Sequence, residues 1–349
     1  LSKTFNYTSD GFSFPYQMSV FIGSIFYSII GLWTLSKVLL HFFSKNITAI
    51  VLFVFVFATN YIVHITMYGQ NAMSHSYLFM MYSLILWLII LWHQYFKIKY
   101  IILLAIICGI TILSRPSEVV CLIIPALWGV FDMKSLKEKL KLVLLYKQQF
   151  LLFSFILVLI GSFQFIYWKI HTGKFLFYSY GANPGEGFEF LTPYIFEVLL
   201  SFRKGWLIYT PIMIFAIIGF YFVFKLNRPI FYSIITYFII NVFIISSWSC
   251  WWYAQTYSQR PMIPSYPIMA IGLGYFIVWT LEQSKIVKWV ITGLFICLII
   301  LNLFQTVQFH NGIIDGDRMT KEYYFKVFGK MYATEQDKKS LLVNRTFYG

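Results

Sequence analysis

Four cations sit where cations are costly. Arg115 lies between two apolar runs in Ser114-Arg115-Pro116-Ser117-Glu118, Arg203 and Lys204 adjoin in Ser201-Phe202-Arg203-Lys204-Gly205, and Arg260 closes an aromatic stretch that begins at Trp248. A charge at the centre of an apolar helix costs roughly 2.5–3.5 kcal/mol on insertion scales, so such residues mark sites or need partners. A helix expected over 206–224 places Arg203 and Lys204 at its N-terminus, where unpaired N–H groups already favour an anion. The pair therefore reads as a phosphate cradle, with lipid-headgroup anchoring as the other reading. Arg115 has two readings of equal weight: phosphate contact, or an internal pair with Glu118 three residues on. Arg260 offers a bidentate contact to phosphate or carboxylate.

Around these cations lie groups suited to a sugar or lipid. Trp251, Trp252, Tyr253 and Tyr257 form either an interfacial aromatic belt or a flat substrate surface, and Asn71 could contribute to that surface. His75 is a candidate acid, base or hydrogen-bond donor, with a capping or interfacial role as its alternative. Asp10, in Asp10-Gly-Phe-Ser-Phe-Pro-Tyr-Gln17, is a candidate base. Glu186 and Glu189 lie on a Gly/Pro-rich loop that could fold over a substrate or hold a cation. There is no phosphate loop, zinc-helix motif or Gly-x-Ser-x-Gly elbow. Cys108, Cys121, Cys250 and Cys297 occur singly, so neither a metal site nor a disulfide framework is expected.

The elements that must position these residues are apolar helices. Of 349 residues 59% are apolar and only 11% charged, and the mean hydropathy is +0.72. An ordinary soluble domain carries roughly 25% charged residues, which excludes a water-facing globule. Continuous apolar runs such as 47–57 and 150–160 exclude a β-barrel, whose strands alternate. The expectation is an all-α polytopic transmembrane bundle of about ten spans, at 16–40, 47–66, 76–92, 99–114, 117–131, 150–167, 206–224, 229–246, 262–280 and 289–304. Thus 1–304 forms the transmembrane domain and 305–349 an external C-terminal tail.

The net charge of +14 would suggest nucleic acid in a soluble protein, but the basic residues cluster between apolar runs, so no nucleic-acid partner is expected. Thirteen of the 27 lysines and arginines fall in one alternating set of connections, around 37–46, 93–99, 132–149, 225–228 and 281–288. That set is therefore cytoplasmic, and both ends and the 168–205 loop lie outside. Of 13 acidic residues only Asp132, Glu138 and Glu282 fall inside. Segment 132–149 alternates lysines with leucines, as an amphipathic helix on the inner membrane surface would; a solvated topological loop is the plainer reading.

Taken in order, several stretches resemble bacterial membrane glycosyltransferases of the C-type superfamily, related to the protein-mannosyl and lipid A aminoarabinose transferases. They are 10–17, Ala58-Thr-Asn60 with Met73-Ser-His-Ser-Tyr77, Ile112-Leu-Ser-Arg-Pro116, Phe202-Arg-Lys-Gly-Trp-Leu-Ile-Tyr-Thr-Pro211, Trp251-Trp252, Arg260-Pro261 and 308–324. The resemblance implies transfer of a hexosyl or pentosyl group from a polyprenyl-phosphate donor to a glycan, lipid or protein acceptor, on the outer side of the bacterial inner membrane. The cations read above as phosphate contacts, Arg115, Arg203, Lys204 and Arg260, are then expected to hold the donor phosphate. No cofactor is expected, and a divalent cation is left open. In such transferases a catalytic Asp or Glu follows a first helix that this sequence lacks, so the expectation is an N-terminally truncated chain. A lipid-linked sugar transporter or flippase is the alternative, although no inverted repeat is visible.

Overall fold

The chain buries its polar backbone by forming helices wherever the apolar runs are long, and a computed structural model describes residues 7–67, 69–178 and 185–343. Among these residues there is no extended strand, only an isolated antiparallel bridge between Phe188 and Trp248. The helices are α1 (Phe14–Phe42), α2 (Lys45–Phe57), α3 (Tyr61–Thr66), α4 (His75–Tyr95), α5 (Ile98–Ser114), α6 (Ile123–Leu127), α7 (Met133–Leu145), α8 (Lys147–Thr172), α9 (Ile195–Leu200), α10 (Trp206–Tyr209), α11 (Met213–Leu226), α12 (Arg228–Ser246), α13 (Tyr266–Glu282), α14 (Lys285–His310), α15 (Lys321–Val327) and α16 (Glu335–Lys338). Short 3₁₀ turns over Pro116–Leu122 and Arg260–Ser265 lead into α6 and α13.

Six helices, α1, α4, α8, α12, α13 with its 3₁₀ lead, and α14, are long and apolar enough to cross a membrane. The other four expected spans are shorter or broken. The run 47–66 divides at Ala58-Thr59-Asn60 into α2 and α3, because Asn302 Nδ2 of α14 takes the carbonyls of Phe57 and Thr59, both at 3.0 Å. A break within an apolar layer persists only when its freed backbone groups find partners in the protein. The run 206–224 divides at Thr210-Pro211-Ile212, since Pro211 has no N–H to continue α10. At the 115 break Pro116 starts a 3₁₀ turn, and the expected 117–131 helix ends at Leu127.

Close helix approach is set by small residues on α11 and α13. A Cβ on Gly219 would fall on the carbonyl of Gly272, and one on Gly272 would meet the carbonyl of Ala216. Small residues let helix backbones touch, the usual basis of packing where lipid removes the hydrophobic drive between helices. Helix α13 is buried along most of its length, whereas α8 buries none of its residues and packs on α5 through Ile160 and Gly109.

The connections segregate into two poles. At one, Gln94 reaches His41 at 3.4 Å, Gln149 donates to the Phe96 carbonyl at 3.0 Å, and Gly129 N–H donates to the Pro229 carbonyl at 2.9 Å. Lys139 of α7 lies 3.1 Å from both His93 Nε2 and the Trp128 carbonyl, and burial lowers its pKa to about 8. Leu140, Leu144 and Leu145 of α7 stay exposed beside Lys137 and Lys141. This is the basic set of connections.

The other pole gathers the acid-rich set, together with the segment after 304. There α14 runs on to His310, and Ile313, Ile314, Met319, Tyr323, Tyr324 and Val327 join Val63, Tyr209, Tyr257 and Phe309 in a second apolar cluster. Gln305 Nε2 donates to the Tyr324 hydroxyl at 2.8 Å, and Gln308 Nε2 to the carbonyls of Val327 and Lys330. The C-terminal residues 305–343 thus cap this pole.

Candidate functional site

The acid-rich pole builds its polar centre from the ends of four elements. Arg115 leaves α5 in extended conformation, with φ −153° and ψ 120°, because Pro116 restricts its predecessor. Its Nη1 lies 3.7 Å from Glu118 Oε1 and 3.4 Å from His75 Nδ1 at the start of α4. Glu118 is buried and accepts the Tyr82 hydroxyl at Oε2, 2.7 Å away. The internal Arg115–Glu118 pair read from the sequence is therefore present, with His75 as a further neighbour of the guanidinium. The His75 ring stands edge-on to that of His64, 6.2 Å between centroids. Arg260, at the start of the 3₁₀ lead into α13, places Nη1 3.4 Å from Met73 Sδ. Asn71 is buried in the same 69–74 turn.

The second half of the site is a loop clamped from both sides. Gln70 Nε2 donates to the Gln255 carbonyl at 2.6 Å, while Gln255 N–H donates to Asp317 Oδ1 at 2.8 Å. Gly316 makes this approach possible: a Cβ there would lie 2.9 Å from Gln255 Cα and 3.2 Å from Thr256 N. The Arg203 guanidinium stacks over Trp252 at 3.9 Å and beside Trp251 at 5.7 Å, and its Nε donates to the Asp317 carbonyl at 2.7 Å. A guanidinium over an indole is held by charge–quadrupole attraction as well as by the hydrogen bond. The loop also carries three non-glycine residues with left-handed backbone, Tyr253 (φ 48°), Ala254 (φ 40°) and Ser258 (φ 57°). Each such residue costs of order 1–3 kcal/mol, and such strain concentrates at binding sites.

Lys204 is not displayed at a helix start. The helix after Gly205 is a single turn, too short to sum a dipole, so the cradle expected there does not form in that way. Lys204 is fully buried, and its Nζ binds the carbonyl and, at 3.1 Å, the hydroxyl of Thr256. Burial pushes its pKa well below the usual lysine range; Arg260 and Arg203 add to the depression, and Asp317 and Asp315 oppose it. Three of the four expected cations, Arg203, Lys204 and Arg260, are thereby within electrostatic reach of one another. Arg260 also bears on His75, whose other charged neighbour is Arg115.

Not every expected residue faces this centre. Tyr257 is buried in the second apolar cluster, its hydroxyl donating to the Tyr209 carbonyl at 3.2 Å and to Gln305 Oε1 at 3.1 Å, so it supports the loop instead of presenting a ring. The Tyr253 hydroxyl donates to the Ile245 carbonyl at 2.9 Å. Trp251 and Trp252 are half-buried beside Arg203. Asp10 is exposed before α1, where its carboxylate accepts the Thr8 hydroxyl and the N–H groups of Phe12 and Ser13. Those bonds, Thr8's first, hold its pKa down at about 2, which makes it a poor base. Glu189 accepts the Tyr194 hydroxyl at 2.9 Å on a segment tied to 246–249; Asn183 and Pro184 of that loop lie outside the described residues. Among the described residues no group of three His, Cys, Asp or Glu could hold a metal.

Sequence reading missed His64, Gln70 and Asp317. His64 is fully buried with both ring nitrogens lacking a hydrogen bond of normal geometry, although the Gln70 main chain lies beside the ring. Gln70 Oε1 and Gln259 Oε1 are likewise buried acceptors with no donor. Each such group costs about 1–3 kcal/mol. A polar residue inside the apolar run 47–66 was the signal for His64; for Asp317 nothing local distinguished it from the other acids of the C-terminal segment. No family model, curated protein or solved structure matches this chain.

Proposed function

We propose that this chain is a membrane glycosyltransferase acting on a polyprenyl-phosphate sugar donor at the acid-rich pole, facing the non-cytoplasmic side. The observation that carries the reading is the gathering of Arg203, Lys204 and Arg260 around one strained aromatic loop, with Arg115 entering from α5. Glu118 answers Arg115, and Asp317 and Asp315 bear on the fully buried Lys204; Arg203 and Arg260 are partly buried guanidinium groups, which favour an anion that a lipid phosphate would supply at membrane depth. Trp251 beside Arg203 would offer a flat face on which a sugar packs, one face of Trp252 being covered by the guanidinium.

In the reaction an acceptor hydroxyl oxygen attacks the anomeric carbon. The bond from that carbon to the donor phosphate oxygen breaks, the lipid phosphate leaves with the electron pair, and the hydroxyl proton is released. The residues here would hold the phosphate and stabilise the charge that grows on it. Arg260→Ala is expected to weaken polyprenyl-phosphate binding by about 10- to 100-fold, the range of a hydrogen bond to a charged group, with the purified protein still monodisperse. An unchanged affinity would assign Arg260 to packing against Met73. Sugar transfer from polyprenyl-phosphate hexoses to a hydroxyl acceptor is the direct test, and lipid movement across vesicles with no transfer would replace the reading with a flippase.

The proposed sidedness follows from the basic pole and is tested with single cysteines in a cysteine-free background. An impermeant thiol reagent on intact cells should modify Glu189→Cys and miss Glu138→Cys, both exposed positions at opposite poles. The reverse pattern would invert the orientation.

A further inference from the structure

The groups left without partners at the acid-rich pole differ in kind from the cations beside them. Neither His64 ring nitrogen makes a hydrogen bond of normal geometry, the Gln70 main chain being the polar group beside the ring, and Gln70 and Gln259 each offer an unpaired amide oxygen. All are shielded from solvent, and their other contacts fix them in place. Gln70 Nε2 is committed to the Gln255 carbonyl and Gln259 Nε2 to the Trp251 carbonyl at 3.1 Å, so in both amides it is the acceptor that is left over. The His64 ring is held edge-on against His75, with Arg260 and Lys204 in electrostatic reach.

These groups define the chemistry of what they would bind. An additional cation is disfavoured, because the neighbouring charges are already positive. A second anion would find one imidazole N–H but would face the two amide oxygens as like dipoles. A neutral imidazole has one donor and one acceptor, and an amide oxygen only accepts. A hydroxyl, which donates and accepts, satisfies both. Several hydroxyls on one rigid ring, attached to an anion held by Arg260, would match the whole set.

We infer that His64 and Gln70, with Gln259, form a hydroxyl-binding subsite that takes the sugar of a phosphate-linked sugar whose phosphate lies against Arg260. The inference rests on the proposed lipid-phosphate reading and deepens it: the cations hold the lipid phosphate, and His64 and Gln70 read the sugar. The 69–74 turn, with Gly69 and Ala72 exposed, is the side from which the subsite would be reached.

The test is binding by the full chain in detergent to two probes, undecaprenyl phosphate and the same lipid phosphate carrying glucose or mannose. In the unaltered protein the sugar should strengthen binding at least about tenfold, as two to three net hydrogen bonds would. In His64→Phe this preference should fall to about threefold or less, while affinity for undecaprenyl phosphate stays within about twofold; in Gln70→Met, which also removes the amide clamp on the Gln255 carbonyl, the readout is the ratio of the two affinities, which should fall likewise. His64→Asn, which keeps a donor and an acceptor, should retain part of the preference. If His64→Phe does not yield a monodisperse protein, Gln70→Met and His64→Asn decide the matter. An unaltered sugar preference, or an equal loss for both probes, overturns the subsite while leaving the lipid-phosphate reading intact. No binding of either probe by the unaltered protein overturns that reading itself.

Discussion

Gly219→Ala should destabilise the protein by about 3 kcal/mol or more, and Gly219→Val should leave no monodisperse species. The reason is that the new Cβ on α11 would meet main chain, not a side chain that can turn away: it falls on the carbonyl of Gly272 in α13. Overpacking a core with a movable neighbour costs about 1–3 kcal/mol, and here two helix backbones would have to separate. Helix α13 is the most deeply embedded of the spans, and Arg260 stands at the head of its 3₁₀ lead. Separation would therefore shift the candidate site as well as loosen the bundle. Gly161→Ala on α8 is the matched control, since nothing lies within 4 Å of its Cβ. It should be neutral or slightly stabilising, because alanine is the better helix former. Thermal unfolding in detergent reads both. Equal melting of Gly219→Ala and Gly161→Ala would mean that α11 and α13 do not cross this closely.

The helical class and the segregation of charge were legible because both are properties of long runs. Apolar stretches of 20 residues announce helices whatever their neighbours, and the basic connections marked one pole before any contact was known. The breaks were not legible. Nothing in 47–66 alone says that the helix stops after Phe57, because the stop depends on Asn302, far away in sequence, donating to the freed carbonyls of Phe57 and Thr59. Asn302, Gln305 and Gln308 recur at three-residue spacing on α14, and that polar stripe in an apolar helix was the readable sign that α14 turns one side inward to hold the C-terminal cap.

The candidate site was legible in its charges and not in its architecture. Arg115, Arg203, Lys204 and Arg260 stood out because charge in an apolar context needs a reason. What each cation touches is decided by residues distant in sequence. Arg203 rests on Trp252 and is held by the Asp317 carbonyl, and Lys204 is turned inward to Thr256. The helix-terminus argument for Arg203 and Lys204 failed at Pro211, which reduces the helix to one turn. Their proximity to Arg260 survives because the loop that ends in Arg260 is the same loop that Lys204 and Asp317 clamp.

Lys204→Met is expected to change two pH dependences in opposite directions. Lys204 has a depressed pKa in the folded chain, from burial first and then from Arg260 and Arg203, against about 10.4 when unfolded. Between those two values the unfolded chain holds a proton that the folded chain does not, so stability rises with pH across that window and is flat on either side. The methionine variant, of similar length and without charge, should lose that rise. A bound phosphate near Arg260 acts on Lys204 the other way, since a negative charge favours the ammonium and restores its pKa upward. Binding of undecaprenyl phosphate should then take up a fraction of a proton, and affinity should fall as pH rises through the window set by the free and bound forms. At low pH, where Lys204 is charged in both, Lys204→Met should bind about tenfold more weakly, as loss of one charge-assisted contact implies. Isothermal titration calorimetry in buffers of different ionisation enthalpy counts the proton directly. Proton uptake that persists unchanged in Lys204→Met would place the titrating group elsewhere, and equal affinity of the two proteins at every pH would reduce Lys204 to a latch on the Thr256 loop with no part in holding the anion.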